Sequence, residues 1–281
     1  MIKKILVAID FSDCSVNALE HAITIAEKAK ADILMVWVNK PESAKEINEG
    51  KPENLQYEVN KRFNNLKNKY RSVLGGGKLL TKVRDGKVYK EVVAEANEWG
   101  ADMIIVGTHG ASGFEEFWVG SNAMKIVSST SIPVITIRGG VDIGRELKLI
   151  VLPIDSTPET RQKVPFTVQL AKCFNAEVHV LALHTTSVKT VQYQIDQYAK
   201  QAISHLKEDK VKCKLVKSDA DNVSRAMIDY AVKVNANLIS ITDEQEKSPM
   251  NWVMGPYAQQ TVNHSPIPVL TIHSTNTNIY K

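Results

Sequence analysis

Three features of the sequence predict an α/β chain made of two tandem domains, each with a five-stranded, mostly parallel sheet flanked by helices. Continuous apolar runs of strand length alternate with amphipathic stretches of helical period. The whole order of runs is written twice, in blocks of about 140 residues. A glycine-rich polar joint, Gly139-Gly140-Val141-Asp142-Ile143-Gly144, separates the blocks and places the domains at 1–140 and 146–281.

Each element of the first block has a local reason. Ile5–Ile9 is an unbroken apolar run, as a strand covered on both faces requires. Ala18, Ala22, Ile25 and Ala26 recur at helical spacing, and Ile33–Val38 is a second buried strand. After a polar loop around Pro41–Pro52, Leu55, Val59, Phe63, Leu66, Tyr70 and Leu74 form one apolar stripe on a long helix. Gly75-Gly76-Gly77 stops it, and Leu80–Val83 is the third strand. Tyr89–Trp99 reads as helix, Met103–Val106 as strand, Ser121–Val127 as helix and Val134–Ile137 as the closing strand. The second block repeats this order, with Val191, Ile195, Tyr198, Ala202 and Leu206 as its long stripe.

The duplication is visible residue by residue. Ile5-Leu6-Val7-Ala8-Ile9-Asp10 aligns with Ile150-Val151-Leu152-Pro153-Ile154-Asp155 at an offset of 145. Ala101-Asp102-Met103-Ile104-Ile105-Val106 aligns with Ala236-Asn237-Leu238-Ile239-Ser240-Ile241 at an offset of 135, as Ile132–Ile137 does with Ile267–Ile272. Parallel neighbours need right-handed crossovers, and open sheets of this kind take ligands at the carboxyl ends of their strands, where the strand order reverses. The positions just after Ile9, Val38 and Val106 are therefore the ones to search.

Composition narrows the field. The 281 residues are 43% hydrophobic and 23% charged, near globular averages, and the net charge of +4 is too small and too scattered for a dedicated nucleic-acid binder. No apolar run approaches the ~20 residues of a membrane helix. The run Ile5–Ile9 after Lys3-Lys4 is ended by Asp10 too early for a signal peptide. Cys14, Cys173 and Cys213 are odd in number and far apart, with no disulfide or zinc-ligand pattern, and read as small buried hydrophobes in a cytoplasmic setting. Lys82, Arg84 and Lys87, like Lys210, Lys212, Lys214 and Lys217, alternate with apolar residues as the solvated side of an edge strand does. Gly75-Gly76-Gly77-Lys78 lacks the Ser or Thr of a phosphate loop, no GxGxxG follows the first strand, and no Ser/His/Asp set sits on a nucleophile elbow.

One segment carries chemistry. After the fourth strand, Gly107-Thr108-His109-Gly110 places two glycines at a tight exit, and nine residues later Gly120-Ser121-Asn122 opens a helix. A helix start offers unpaired N–H groups and a partial positive charge, which favour a phosphate, and Ser121 and Asn122 add short polar side chains. The competing reading is an ordinary turn followed by a capped helix. Asp10 likewise reads either as a ligand carboxylate or as the cap of the helix that follows. Phe114, Phe117 and Trp118, in the loop between the glycines, serve either as a lid or as packing against the other block.

The segment fits G-x2-G-x9-G-(S/T), with Gly107, Gly110, Gly120 and Ser121 in the fixed positions, and in this the chain resembles the universal stress protein family over nearly its whole length. The resemblance implies tandem Rossmann-like domains, a pseudo-dimer within one chain with a further homodimer open, joined through Val134–Ile137 and Val269–Ile272. It also implies a stress-response role and binding of ATP, AMP or ADP, with Mg2+ as an optional companion. It places Asp10 beside the adenine or ribose, with Ala8 and Ile9 lining the base and Val38 and Val106 sandwiching it. Gly107, His109, Gly110, Gly120, Ser121 and Asn122 would hold ribose and phosphates.

The second block departs from this pattern. Gly107 becomes Thr242, Gly110 becomes Gln245 and Ser121 becomes Pro256, while Gly255 remains. Asp243, Glu244 and Glu246 put negative charge where phosphate would sit, and Pro153 replaces Ala8. The expectation is that the second block does not bind ATP in the same way and is a scaffold, or takes a different ligand through Asp155 and Asp243. The expected function is an ATP-binding stress-response module that holds its nucleotide in the first block, and a slow ATP-hydrolysing enzyme and a nucleotide-free scaffold are the alternatives. No metal or catalytic set is read from the sequence.

Overall fold

The computed structural model describes residues 1–39, 55–108, 120–139, 145–243, 246–247 and 252–274, with the side chains of 246, 247, 252 and 253 left out. The first half runs β1 (Lys4–Ala8), α1 (Asp13–Ala29), β2 (Asp32–Asn39), α2 (Leu55–Tyr70), β3 (Leu79–Asp85), α3 (Val88–Trp99), β4 (Met103–Gly107), α4 (Ser121–Ser129) and β5 (Val134–Ile137). The second runs β6 (Leu149–Ile154), a 3-10 turn at Pro158–Arg161, α5 (Val164–Phe174), β7 (Glu177–His184), α6 (Lys189–Glu208), β8 (Cys213–Asp219), α7 (Val223–Lys233) and β9 (Leu238–Asp243). A short hairpin of β10 (Glu246–Lys247) and β11 (Trp252–Val253) follows, then α8 (Pro256–His264) and β12 (Val269–His273). Every expected element within the described residues is present, and the hairpin is an addition that no period in the sequence announces. The loop around Pro41–Pro52 and the joint at 140–144 lie outside the described residues.

The two five-stranded sheets are one. Strands follow the order β3-β2-β1-β4-β5-β12-β9-β6-β7-β8. Within each half of this sheet the pairings are parallel, and the order reverses between β1 and β4 and again between β6 and β9. The halves meet where β12 runs antiparallel to β5, with Val269 opposite Thr136, Leu270 opposite Ile135 and Thr271 opposite Val134. This is the contact expected of the closing strands. The outer strands are β3 and β8, as their alternating lysines suggest. Arg84 departs from that expectation. Its guanidinium folds onto Glu95 and Glu98 of α3 instead of standing free in solvent.

Side chains alternate across the sheet, and so build two cores. Ile5, Val7, Ile33 and Met35 join α1, α2, α5 and α6 on one face. Leu6, Val36, Ile104 and Val106 join α3, α4, α7 and α8 on the other. Local devices hold the helices in place and repeat in both halves. The Asp102 carboxylate accepts the N–H groups of Lys3 and Lys4 at 2.6 and 2.9 Å, and the Asn237 side-chain oxygen accepts those of Lys148 and Leu149 at 2.9 and 3.0 Å. Both pin the entrance of a central strand to the one beside it.

Helices also cross the seam. α1 packs on α5, and Arg145, at the start of the second half, bonds to Glu20 and Asn17 of α1. Burial, with the Arg145 charge beside it, pushes the His21 imidazole down to about 4. A histidine pKa depressed below its unfolded value costs stability as pH falls from the unfolded toward the folded value, because charging is then free only in the unfolded chain. Acidification from pH 7 to pH 4 should therefore remove on the order of 3 kcal/mol through this residue, and urea unfolding of His21→Leu should lose that part of the pH dependence. The seam holds a second testable point. The Thr271 hydroxyl is buried without a hydrogen-bond partner among the described residues. Thr271→Val should raise stability by about 1 kcal/mol in the same assay.

Candidate functional site

The strand-order reversal puts the carboxyl ends of β1 and β4 side by side, with Ala8 opposite Val106. Three chain segments converge there. The turn after β1 carries Ile9 and Asp10, and the Ile9 N–H donates to Val36 O at 2.8 Å. The exit of β4 carries Gly107 and Thr108. The amino end of α4 returns to the same place because the Gly120 N–H donates to Thr108 O at 2.5 Å. Gly120, the capping residue, has no side chain to close the helix end, and Ser121 and Asn122 are exposed on it. Among the described residues, the edge therefore has a helix start with no side-chain cap, anchored directly to a strand exit, an arrangement suited to an anion.

The packing of the protein itself requires both glycines. Neither Gly107 nor Gly120 has a positive φ. A Cβ on Gly107 would stand 2.9 Å from Cys14 Sγ and 3.0 Å from the Cys14 carbonyl carbon and oxygen, so the close approach at Gly107 is to the first turn of α1. A Cβ on Gly120 would stand 3.0 Å from Thr108 O. Both glycines let protein backbone meet protein backbone, and the helix start reaches the strand end as a result. Cys14 is buried, and its Sγ donates to Ile137 O at 3.5 Å, in keeping with a packing role.

Asp10 is exposed, and its Oδ1 accepts from Ser12 N at 3.0 Å and Ser12 Oγ at 2.5 Å. Ser12 in turn caps α1 by accepting from Ser15 N at 3.2 Å. Asp10 therefore stiffens the turn into α1 while remaining open to solvent at the site edge. Of the other expected site residues, Ala8 and Gly107 are half-buried. Val38 and Val106 are 6% exposed and belong to the core beneath α3 and α4, so only their edges could meet a base. Ile9 is 4% exposed and packs on the opposite face, with α1, so it cannot line the same pocket wall as Ala8. His109 and Gly110, with Phe114, Phe117 and Trp118, lie outside the described residues. Among the described residues no three or more His, Cys, Asp or Glu are gathered for a metal ion. A Mg2+ arriving with a nucleotide would take its oxygens mainly from phosphate and water.

The second half repeats the turn and changes the site. Asp155 Oδ1 accepts from Thr157 N at 2.8 Å and Thr157 Oγ1 at 2.6 Å, matching Asp10. Asp243, at the position equivalent to Thr108, is fully buried, and its Oδ1 accepts the Gly255 N–H at 2.8 Å. A carboxylate of the protein itself thus occupies the start of α8. Asp243 is consequently not available to an external ligand, which corrects the expectation that it and Asp155 form an alternative binding pair. The buried ammonium of Lys163 approaches Thr160 Oγ1 at 3.1 Å and Thr242 Oγ1 at 3.4 Å, so it lies against the side chain that replaces Gly107. Neither Lys163 nor the structural part of Asp243 is legible in the spacing, because Lys163 stands opposite Ala18 in the alignment and only the fold brings it to the strand end.

Comparison with known proteins agrees with the resemblance. The model of the universal stress protein family matches residues 1–138 and 146–273, and the chain belongs to that family. Universal stress protein YxiE of Bacillus subtilis is 31% identical over 155 residues, which cover 49% of this chain and 100% of that protein. Universal stress protein MJ0531 of Methanocaldococcus jannaschii is 28% identical over 144 residues, 48% of this chain and 82% of that one. The two-domain arrangement also has a solved counterpart. A universal stress protein from Archaeoglobus fulgidus superposes with a TM-score of 0.74 over 96% of this chain and 98% of its own, at 14% identity, which speaks to the fold. No helix among the described residues is long and apolar enough to cross a membrane.

The packing around Gly107 makes a prediction independent of any ligand. Gly107→Ala should lower the thermal midpoint, at a cost of about 1–3 kcal/mol from overpacking. Adding Cys14→Ala should not restore it, because two of the three close atoms are backbone.

Proposed function

We propose that this universal stress protein is a stress-response module that binds ATP, or ADP or AMP, in its first half only, while the second half serves as a permanently paired scaffold. One observation carries this reading. The two halves place a helix start at the same strand exit, but α4 presents an uncapped end with exposed Ser121 and Asn122, whereas α8 meets the buried Asp243 carboxylate. An anion is attracted to the first end and repelled from the second. Asp10 at the rim supplies the acceptor that ribose hydroxyls or an adenine amine would use, and Ala8 with the edges of Val38 and Val106 supplies apolar surface for a base.

The reading favours binding over turnover, since the described edge offers Asp10 and no second carboxylate or histidine at bonding distance from it to serve as a general base. The signal passed to partners would then be the occupied or empty state of one site per chain.

Ser121→Glu is the discriminating variant. An acidic residue in the first turn stabilises a helix by about 0.3–1 kcal/mol, so the apo protein should melt no lower than the wild type. The same charge should abolish the upward shift in melting temperature that ATP produces, a shift equivalent to about 2.7 kcal/mol at 100 times the dissociation constant. Tyr257→Glu, on the matching turn of α8, should leave the ATP shift intact. An unchanged shift in Ser121→Glu rejects the site. Denaturing the purified protein should release no more than one adenine nucleotide per chain, and two would reject the assignment of the second half.

A further inference from the structure

The carboxyl end of α4 is held by the other half of the molecule. Val127 O is one of the last four carbonyls of α4, which have no N–H of their own helix to accept. His273, the final residue of β12, is 5% exposed, and its Nε2 stands 2.5 Å from Val127 O. A carbonyl only accepts, so Nε2 carries the hydrogen and donates. The other ring nitrogen, Nδ1, faces Asp243 Oδ2 at 3.3 Å across the β12–β9 pair, where His273 and Asp243 are register partners. Asp243 Oδ2 accepts no hydrogen bond among the described residues and faces the Nδ1 edge of the ring, while Oδ1 holds the Gly255 N–H. The result is one buried chain of contacts, from the carboxyl end of α4 through His273 and Asp243 to the amino end of α8. β11, also from the second half, packs beside α4. In the first half, Arg138 and Thr108 occupy the positions equivalent to His273 and Asp243.

We infer that His273 is a positioning residue for the nucleotide site of the opposite half. The inference rests on the proposed site at α4. An α-helix is stiff over nine residues, so a donor that fixes its carboxyl end also fixes where its uncapped amino end stands against β1 and β4. Asp243, the register partner of His273, stands against the Nδ1 edge of the ring while Nε2 points at Val127. The second half, unable to offer its own helix start to an anion, thereby sets the geometry of the first.

The test separates this inference from the nucleotide reading. Amide hydrogen exchange is measured on the nucleotide-free wild type, His273→Leu, His273→Gln and Asp243→Asn, with ATP affinity measured alongside. In His273→Leu the amides of α4 should exchange at least tenfold faster, while those of α3 keep their wild-type rates. His273→Gln, which retains an N–H donor, should recover most of the protection. Asp243→Asn should fall between the two. ATP should bind His273→Leu at least fivefold more weakly, although the residue is not among those that line the site. Unchanged α4 exchange in His273→Leu, or no recovery with Gln, overturns the inference whether or not the wild type binds ATP. If ATP binds the wild type and the Leu variant equally, the positioning role is overturned while the α4 contact stands. If the Leu variant does not fold, the nitrogen resonances of the His273 ring in the wild type decide. A protonated Nε2 throughout pH 6–8 upholds the donation to Val127, and an unprotonated Nε2 overturns it.

Discussion

The antiparallel pairing of β5 with β12 is the constraint on which the rest of the molecule depends. A strand at the edge of a parallel sheet leaves a row of N–H and C=O groups unpaired, and those groups must find partners or meet water. Each half ends in such a strand, and each satisfies the other. The pairing converts two five-stranded sheets into one of ten, whose edges among the described residues are β3 and β8. It brings α1 onto α5 on one face and α4 beside β11 on the other. Arg145 and His273 each reach across the seam, to Glu20 and to Val127 O.

On this frame the two halves have reached different electrostatic solutions at the same place. Both end their fourth strand beneath a helix start introduced by glycine, and both stiffen the preceding turn with an aspartate, Asp10 or Asp155. In the first half the helix start is tied down by a backbone carbonyl, so its positive end still faces outward. In the second, the fully buried Asp243 meets that end from within. A buried carboxylate needs compensation, and it receives one N–H, one imidazole and the proximity of a helix start. The group that faces this buried carboxylate, His273, also reaches α4 of the first half.

Much of this was legible in the residues. The unbroken apolar runs Ile5–Ile9 and Met103–Val106 read as strands covered on both faces, and Asp10, at the end of the first run, with its repeat Asp155 after Ile154 marked the turns to examine. The Gly107 to Ser121 pattern marked the strand exit to which α4 returns, and the substitutions Thr242 and Pro256 showed that the second copy had changed. The physical meaning of the glycines was not legible. Spacing alone does not reveal that Gly107 makes room for Cys14, which the structure shows. Ile9 shared a run with Ala8, but strand alternation sends the two to opposite faces, and so only Ala8 belongs with Val38 and Val106.

By itself, the sequence determined what short-range physics and internal repetition encode: strand and helix order, the duplication, the strand ends where a ligand would bind, and the loss of the phosphate pattern in the second copy. Apolar periodicity and local glycine or aspartate chemistry act over a few residues, so they can be read from a linear string. The tertiary structure alone decided which long-range groups meet. Lys163 lies against Thr242, His273 donates to Val127 across 146 positions, and Arg145 bonds Glu20 across 125. Such contacts depend on the sheet closing in one order and one register. No local pattern carries that information, because each partner is an ordinary residue until the seam brings the two together.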